Sequence, residues 1–326
     1  MPITTKSVKL AKSTESLCSD STSQDDFKSA ALLVTETVRL MPFTYPCLAT
    51  GDSWKELAKR SPDQGNQAAT VLIRRTNERL PFSNATSIFD VGCGSGTLVF
   101  LIVEKYGLDI PTSTNILAGD FSEHMLDNVR QTQKARSKEA NDIWDRIEVR
   151  NVDAHDLSSI SAGTISHMVS GMVYFMLPDP RKALREAHRV LCAGGIIGIS
   201  SGKSSQHIDA LCKAVERVRP GTNLELMSGP WHFEDGVKAE LEATGFVDVE
   251  TQVEETSMDY LSHKDLASTL QQMPVIKNAT KSFSMDQMTD LEQVIVEELR
   301  KVSPDEPGRI LGKMIVAVAR KPGTMA

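Results

Sequence analysis

Short apolar runs alternate along the middle of the chain with longer segments whose apolar residues recur at helical spacing. Each run is short enough for one buried strand. The first includes Ile88 and Phe89, and the others lie at residues 116–120, 147–154 (where apolar and polar residues alternate), 165–170 and 196–200. The segment before the last run shows the helical pattern most clearly, with one apolar face made of Ala183, Leu184, Ala187, Val190 and Leu191. Strands that alternate with helices in this way predict an α/β fold with a mostly parallel sheet.

The first apolar run leads into a turn that contains three glycines. Residues 90–96 read Asp-Val-Gly-Cys-Gly-Ser-Gly, and the mostly apolar residues 97–106 after them predict a buried helix. Gly92, Gly94 and Gly96 allow backbone dihedrals that are closed to other residues, and they let a ligand approach the main chain. A strand, a glycine turn and a helix in this order are typical of a nucleotide-type site at the carboxyl edge of an α/β sheet.

The spacing of the glycines and one nearby carboxylate narrow the class of ligand. The dinucleotide fingerprint is G-x-G-x-x-G, whereas this turn reads G-x-G-x-G and has Thr97 where the fingerprint has its third glycine. Asp90 lies two residues before the first glycine, and its carboxylate would repel a diphosphate but attract a cationic amine, directly or through water. The pattern D-x-G-x-G-x-G resembles motif I of the class I S-adenosylmethionine-dependent methyltransferases, whose cofactor carries an ammonium and a sulfonium. The resemblance implies that the cofactor S-adenosyl-L-methionine contacts Asp90, Gly92, Cys93, Gly94 and Gly96.

A second segment matches the same family. Residues 119–126 are similar to the family pattern G-D-F-S-x-x-M-L, and Ser122 is the predicted N-cap of the helix that follows. The resemblance implies that Asp120 accepts the ribose hydroxyls, that Phe121 lies against the adenine, and that Met125 also contacts the cofactor. An acid at this position also suits a dehydrogenase, so this segment alone leaves both classes open.

Two more segments match the remaining cofactor contacts of the family. At the end of the third apolar run, Asp153 and Ala154 match an acid-small pair whose carboxylate takes the adenine amino group and whose next amide faces a ring nitrogen. Taken alone, Asp153 would be interpreted as a solvated loop acid, but its place after the two earlier motifs favours the cofactor role. Ser170 and Gly171 match the loop that holds the methionine end of the cofactor.

The longest match follows the fourth apolar run. Residues 179–195 fit the pattern D-P-x-x-A-L-R-E-x-x-R-V-L-x-x-G-G, in which Asp179 is the predicted N-cap of a helix and Pro180 its first residue. This pattern resembles small-molecule methyltransferases of the ubiquinone and menaquinone biosynthesis type and many fungal secondary-metabolite enzymes. The resemblance implies a Rossmann-like, seven-stranded, mostly parallel sheet with helices on both faces.

Four segments lie outside the predicted cofactor-binding core of residues 81–251. Residues 1–26 are rich in Ser, Thr, Lys and Asp and predict a disordered tail. Residues 27–80 predict an N-terminal helical lid, and residues 252–308 predict a helical insertion before the last strand. The last strand and a short tail make up residues 309–326.

The lid and the insertion are the segments that the acceptor would meet. Family members close the acceptor pocket with N-terminal helices, which implies that Tyr45 and Trp54 face the acceptor, although Trp54 equally fits the packing of an amphipathic helix. The insertion departs from the family pattern, in which a short hairpin joins the last two strands. Here a predicted strand at residues 246–251 is followed by helical patterns at residues 263–273 and 285–302, the second capped by Ser284. The insertion is interpreted as a substrate cover or as a dimer contact.

The candidates for chemistry lie after the fourth and fifth strands. Methyl transfer from a sulfonium needs alignment and exclusion of water. A general base helps when the acceptor is a hydroxyl but is hardly needed for a thiolate or a free amine. His232, in an aromatic turn, and Tyr174 are the candidate bases, and His232 equally fits a surface loop. Met172, Tyr174 and Trp231 join the two lid aromatics as candidate acceptor contacts.

Composition restricts the partners. The chain has 326 residues, with 36 Lys and Arg against 43 Asp and Glu, and this formal net charge of −7 argues against a nucleic-acid partner, whose binding depends on basic residues. The five cysteines have irregular spacing that matches neither a zinc site nor a disulfide framework, so we expect no metal and a cytoplasmic location. The apolar runs are too short to span a membrane. We also expect a monomer or a homodimer.

Together these features predict a methyltransferase that acts on O, N or S of a small organic acceptor such as a secondary metabolite. Residues 170–173 lack the (N/D)-P-P-(Y/F) motif of the nucleic-acid amino methylases and the glutamate pair of protein arginine methylation. Two other functions stay open on the same fold. One is a cyclase or pericyclase that uses the sulfonium only as a charge, and the other is a non-catalytic regulator that senses S-adenosylmethionine. An NAD-dependent dehydrogenase is a weaker rival.

Overall fold

The computed structural model describes residues 62–137, 142–222, 224 and 229–323. The predicted tail and most of the predicted lid, with Tyr45 and Trp54, lie outside these residues. The strands are β1 (Ser87–Val91), β2 (Asn115–Asp120), β3 (Ile147–Asn151), β4 (Ile165–Gly171), β5 (Leu191–Ser205), β6 (Val247–Tyr260) and β7 (Gly308–Arg320). The α-helices are α1 (Pro62–Arg79), α2 (Thr97–Tyr106), α3 (Glu123–Arg136), α4 (Pro180–Val190), α5 (Gln206–Val218), α6 (Glu234–Ala243), α7 (His263–Gln271), α8 (Pro274–Ala279) and α9 (Met285–Val302).

The strands described here form one seven-stranded sheet with the order β3-β2-β1-β4-β5-β7-β6. The strands from β1 to β5 pair in parallel, whereas β7 is antiparallel to both of its neighbours. The predicted Rossmann-like, mostly parallel fold is therefore confirmed. The chain switches direction across the sheet between β1 and β4, and α/β folds bind ligands in the crevice that opens at the carboxyl ends of the strands beside such a switch.

The central strands lie between two helical layers. All five residues of β1 are buried, as expected for a parallel strand that is covered on both faces. Because side chains alternate between the faces of a strand, neighbouring residues of β1 enter different cores. Ile88 belongs to a cluster with Leu72 of α1 and Ile102 of α2. Phe89 belongs to the cluster on the other face, which includes Leu184 of α4. Both layers therefore fix the strand that carries the glycine turn.

Three helices begin at the predicted caps. The Asp179 carboxylate accepts a hydrogen bond from the main-chain N–H of Lys182 at 2.9 Å, at the start of α4. Ser122 caps α3, and Ser284 forms a capping box with Gln287 at the start of α9. Such caps satisfy N–H groups of the first helical turn through side chains only a few residues away, which is why the local sequence predicts them.

The last two strands are longer than their patterns indicate. The strand predicted at residues 246–251 continues to Tyr260, and β6 pairs with β7 as far as the register Tyr260↔Gly308. Thr256, Met258 and Tyr260 are buried in alternation, but the two polar residues between them and the two glutamates before them gave this stretch the composition of a loop. The start of the predicted insertion at residue 252 therefore falls within β6.

The insertion helices have a hydrophobic core of their own. They pack with α5 on the far end of β6 and β7, and this cluster includes Leu211, Leu270, Leu299 and Ile310. The short helix α8 lies between the two predicted helices and was not foreseen. Since β7 is antiparallel to both β5 and β6, β6 ends at the same edge of the sheet as β5. The insertion thus begins at the edge that carries the glycine turn.

Candidate active site

The turn after β1 has a backbone that glycine adopts freely and other residues do not. The φ angles of Gly92, Gly94 and Gly96 are 68°, 54° and 93°, all in the left-handed region. Gly92 is also constrained by space, because a Cβ atom there would lie 2.5 Å from a side-chain methyl of Val173. The turn therefore presents main chain rather than side chains at the carboxyl edge of the sheet.

Asp120, the last residue of β2, holds this turn in place. Its Oδ2 accepts a hydrogen bond from Gly94 N at 2.9 Å, and its Oδ1 accepts one from Ser122 N at 2.9 Å. Cys93 N donates to the Gly119 carbonyl at 3.0 Å and joins the same strand ends. Burial raises the pKa of the Asp120 carboxyl, although the backbone donors oppose the rise. These backbone donors do not use all the accepting positions of the carboxylate, so Asp120 can still accept a hydrogen bond from a ribose hydroxyl.

Asp90 is a fully buried acid with one unsatisfied oxygen. Its Oδ2 accepts a hydrogen bond from Val99 N at 3.1 Å, while its Oδ1 has no partner among the described residues. Burial raises the pKa of this carboxyl to about 7, the Val99 bond lowers it, and the Asp120 charge raises it further. The unsatisfied oxygen fits the ammonium of S-adenosylmethionine, because a cation there would supply the missing partner and offset the cost of burial.

The residues matched to the adenine lie at the ends of β2 and β3. Phe121 is 50% exposed, and Met125 is half-buried in the first turn of α3. The Asp153 carboxylate is exposed, and its Oδ1 accepts hydrogen bonds from the main-chain N and the ring Nδ1 of His155, both at 2.8 Å. Ala154, between them, is half-buried. The position of these side chains leaves them accessible to a ligand at this edge.

The end of β4 contains a residue that joins two strands, and the loop after it contains a residue with a strained backbone. Ser170 is fully buried, and its hydroxyl donates to the Val91 carbonyl at 2.9 Å, so its side chain joins β4 to β1 and does not face a ligand. Met172 has a φ of 60°, and its N–H donates to the Ser200 carbonyl at 3.0 Å. A non-glycine residue in this region is held there by its surroundings, and such strain clusters at ligand sites. Gly171 lies between the two.

Tyr174 is a packing residue. Its side chain is 2% exposed and stacks on Trp231 with ring centroids 5.9 Å apart. Burial raises the pKa of its hydroxyl far above the ordinary value, which strongly disfavours the phenolate. The structure therefore argues against Tyr174 as a general base, contrary to the expectation from its position in the sequence. Trp231 is also buried, and the stack on Tyr174 occupies one face of its ring.

His232 is buried and oriented by the end of β5. Its Nδ1 lies 2.5 Å from the Gly202 carbonyl oxygen. A carbonyl only accepts, so Nδ1 carries the proton, and in the neutral ring Nε2 carries the lone pair. The ring also makes an edge contact with Phe175, with centroids 5.9 Å apart. The surface-loop interpretation of His232 is thus wrong, because the side chain is fixed next to the loop that follows β4.

Comparison with known proteins agrees with this geometry. A family model described as a methyltransferase domain matches residues 89–199, from β1 to β5. The methyltransferase ucsB of an Acremonium species is 29% identical over 82% of this chain and 92% of its own length. The chain is an S-adenosylmethionine-dependent methyltransferase. A second relative, the methyltransferase tpcH of Aspergillus fumigatus, is 26% identical over 78% of this chain and 91% of its own length.

The fold of this methyltransferase also has a counterpart among solved structures. The crystal structure of a putative methyltransferase from Bacillus halodurans superposes with a TM-score of 0.50 at 17% identity, over 78% of this chain and 99% of its own. At that identity the likeness concerns the fold only. It agrees with the predicted Rossmann-like fold.

Strand pairing brings the motif residues of the methyltransferase together. Asp90 pairs with Ala118 of β2 on one side and with Val169 of β4 on the other. The glycine turn, Asp120 and the loop after β4 therefore lie at adjacent strand ends, as the order of the motifs predicted. His155, which holds Asp153, was missed because nothing in the local pattern distinguishes it from other loop histidines.

Ser200, Ser201 and Gly202 were also missed. They lie in the second half of β5 and contact the loop after β4 or the turn that carries His232. The predicted strand ended at Ser200, and the Ser-Gly composition of the next two residues gave the appearance of a loop. In the part of the chain that the structure describes, there is no group of three His, Cys, Asp or Glu side chains placed to hold a metal. Within the same residues, no helix has the length and apolar character needed to cross a membrane.

Proposed function

We propose that this methyltransferase methylates a hydroxyl group of a small organic acceptor, with His232 as the general base. The observation that carries the proposal is the hydrogen bond from His232 Nδ1 to the Gly202 carbonyl, which fixes the proton on Nδ1. Transfer to nitrogen or sulfur is the alternative, and there a base of this kind would have little to do.

S-adenosylmethionine, when bound, supplies a methyl group that is already activated by the sulfonium. For its other groups, Asp90 Oδ1 suits the ammonium and Asp120 the ribose hydroxyls. Phe121, Asp153 and the amide of Ala154 suit the adenine. The glycine turn supplies main chain that a ligand can approach closely. This assignment is supported by the unsatisfied oxygen of Asp90 and by the exposure of Phe121 and Asp153.

His232 would remove the acceptor proton as the new oxygen-methyl bond forms. In its neutral form the ring has the lone pair on Nε2, and the Gly202 carbonyl stabilises the imidazolium that forms, because Nδ1 keeps its acceptor. Well-placed proton transfer of this kind contributes roughly 10²- to 10⁴-fold to a rate. The remainder of the rate would come from alignment of the acceptor with the methyl group.

The surroundings of His232 favour a flat, largely apolar acceptor. Phe175 contacts the ring edge, and Phe233, the next residue along the chain, is 63% exposed. Met172, half-buried in the loop after β4, provides a further apolar contact. We therefore propose an aromatic hydroxyl compound. Since ucsB and tpcH come from fungi, a fungal secondary metabolite fits this chemistry.

The insertion is proposed to cover the acceptor. It begins at the end of β6, on the same edge of the sheet as the glycine turn, and its helices pack on a core of their own. Water exclusion over an alkylation site is the physical reason for such a cover. A role in a dimer, the predicted cytoplasmic location and the predicted monomeric or dimeric state stay predictions.

The test is transfer of label from methyl-labelled S-adenosylmethionine to simple phenols, thiols and amines, and to extract fractions. We expect label on an oxygen, with turnover reduced about 10²- to 10⁴-fold in His232→Gln. The affinity for S-adenosylhomocysteine should stay equal to that of the wild type. Label on sulfur or nitrogen with no effect of His232→Gln would contradict the proposed acceptor. Cofactor binding without label on any product would instead favour a binding or cyclase role.

A further inference from the structure

The turn that carries His232 is attached to the end of β5 by consecutive residues. Ser201 is buried, and its hydroxyl donates to the Trp231 carbonyl at 2.7 Å. The next residue of β5, Gly202, accepts the hydrogen bond from His232. Consecutive residues of the strand thus contact consecutive residues of the turn, and both contacts are buried.

A third contact follows at the surface. Lys203, the next residue of β5, forms an ion pair with Glu234, the first residue of α6. The two side chains are 29% and 36% exposed, and the Lys203 ammonium lowers the pKa of the Glu234 carboxyl. The pair therefore brackets His232, since one partner follows Gly202 directly and the other lies two residues after His232.

The backbone of β5 is irregular at this point. Its pairing with β7 passes from Gly202↔Met314 to Ser204↔Lys313, so Lys203 is the extra residue of a bulge. Bulges bend a strand locally and redirect a side chain, and they are frequent beside active sites. The bulge thus occurs at the residue whose side chain reaches the start of α6.

The start of α6 has little else to define it. Its N-cap is Phe233, whose side chain makes no capping hydrogen bond. Glu234 is one of two acids in the first turn, where a negative charge favours the helix, but its carboxylate is engaged by Lys203. The ion pair is therefore one of three contacts that join β5 to the start of α6 and to the turn before it.

We propose that Lys203 and Glu234 are positioning residues that hold His232 in its Nδ1-protonated orientation. This inference rests on the proposed function, because it assumes that His232 is the base. A partly exposed ion pair contributes little to global stability. A displacement of a catalytic group by about 1 Å, however, can reduce a rate by about 10²-fold. Loss of the pair should therefore affect the histidine far more than the fold.

The first measurement needs no acceptor. In protein with ¹⁵N-labelled histidine and bound S-adenosylhomocysteine, the ring nitrogens report which tautomer His232 adopts, with His232→Gln to assign the signal. We expect the Nδ1–H form in the wild type and a mixture of tautomers in Glu234→Gln and in Lys203→Met. The exchanged pair, Lys203→Glu with Glu234→Lys, should recover the wild-type spectrum. An unchanged spectrum in both single variants would overturn the inference.

The second measurement is turnover with the phenol that gives labelled product in the screen described above. Glu234→Gln should reduce kcat about tenfold, with the cofactor Kd within about twofold of the wild type. The matched control is Glu104→Gln, because the Glu104 carboxylate is 38% exposed and pairs with Arg136 at 2.8 Å, far along the chain from His232. The control should leave both values unchanged. If His232→Gln itself leaves turnover unchanged, the proposed base is wrong. If His232→Gln loses turnover but the Lys203 and Glu234 variants keep it, the positioning role is wrong.

Discussion

The ionised carboxylate of Asp90 should oppose folding and favour cofactor binding. Burial, supported by the nearby Asp120 charge, raises its pKa from the ordinary 3.8 to about 7. Since one pKa unit corresponds to about 1.4 kcal/mol, the ionised carboxylate lowers the stability of the cofactor-free fold by about 4 kcal/mol at pH 8. The folded pKa is the higher one, so this loss is absent below about pH 4 and grows until about pH 7.

The Asp90→Asn substitution keeps the shape of the side chain and removes its charge. Its amide oxygen can still accept from Val99 N, but its NH₂ group gains no partner among the described residues. Subtracting about 1–2 kcal/mol for that group, we expect the cofactor-free variant to exceed the wild type by about 2–3 kcal/mol at pH 8. At pH 5 the gain should vanish, because the wild-type loss is then only about 1–2 kcal/mol and the unpaired NH₂ group offsets it. Urea unfolding at the two pH values measures the difference.

Cofactor affinity should respond in the opposite direction. If the ammonium binds ionised Asp90, the proton must leave on binding, and wild-type affinity for S-adenosylhomocysteine should fall about tenfold from pH 8 to pH 6. Asp90→Asn should bind more weakly at pH 8 and lose this dependence. Calorimetric titration at both pH values tests this. A variant that is no more stable at pH 8, or whose affinity keeps the wild-type pH dependence, would refute the reasoning.

Three further substitutions test single contacts. Asp120→Ala should weaken S-adenosylhomocysteine binding by about 1.5–3 kcal/mol in calorimetry, and unchanged affinity would remove Asp120 from the site. Tyr174→Phe should keep turnover within about twofold, because the buried hydroxyl stays protonated, whereas a loss of 10² or more would restore Tyr174 as a base. The His263 ring nitrogens Nδ1 and Nε2 lie 2.5 Å from Glu306 Oε1 and 2.6 Å from the Ser303 carbonyl oxygen. His263→Phe should therefore cost about 2–3 kcal/mol in urea unfolding, and no loss would show that these contacts contribute nothing.

Features set by neighbouring residues could be predicted from the sequence. The glycine turn follows from three positions that need a positive φ, and the starts of α3, α4 and α9 follow from side chains that cap their own helices. The order of the motifs placed Asp90 and Asp120 at adjacent strand ends, because parallel strands bring their carboxyl ends to one edge. In each case the determining contact lies within a few residues or follows from the topology.

Features set by distant residues could not be predicted. The polar end of β6 forms a strand because β7 pairs with it, and that partner lies beyond the whole insertion. His232 is fixed by a carbonyl of β5, which a sequence pattern does not show, since every residue has one. Tyr174 seemed suited to catalysis by its position, but its ring stacks on Trp231, and burial keeps its hydroxyl protonated so that it cannot act as a base. The physical cause in each case is a tertiary contact that local composition does not encode.

Two energetically unfavourable features of the fold lie at the carboxyl edge of the sheet. Asp90 places an ionisable carboxyl in a dry environment, and Met172 has a left-handed backbone. Both lie where the helical layers on either side of β1 and β4 hold the main chain fixed, so the surrounding core sustains conformations that the local sequence disfavours. The ligand relieves the first cost by supplying the missing partner. A mutation that removes the buried carboxyl also removes this cost, but it takes away the group proposed to bind the cofactor. We therefore infer that substitutions which stabilise this edge weaken methyl transfer.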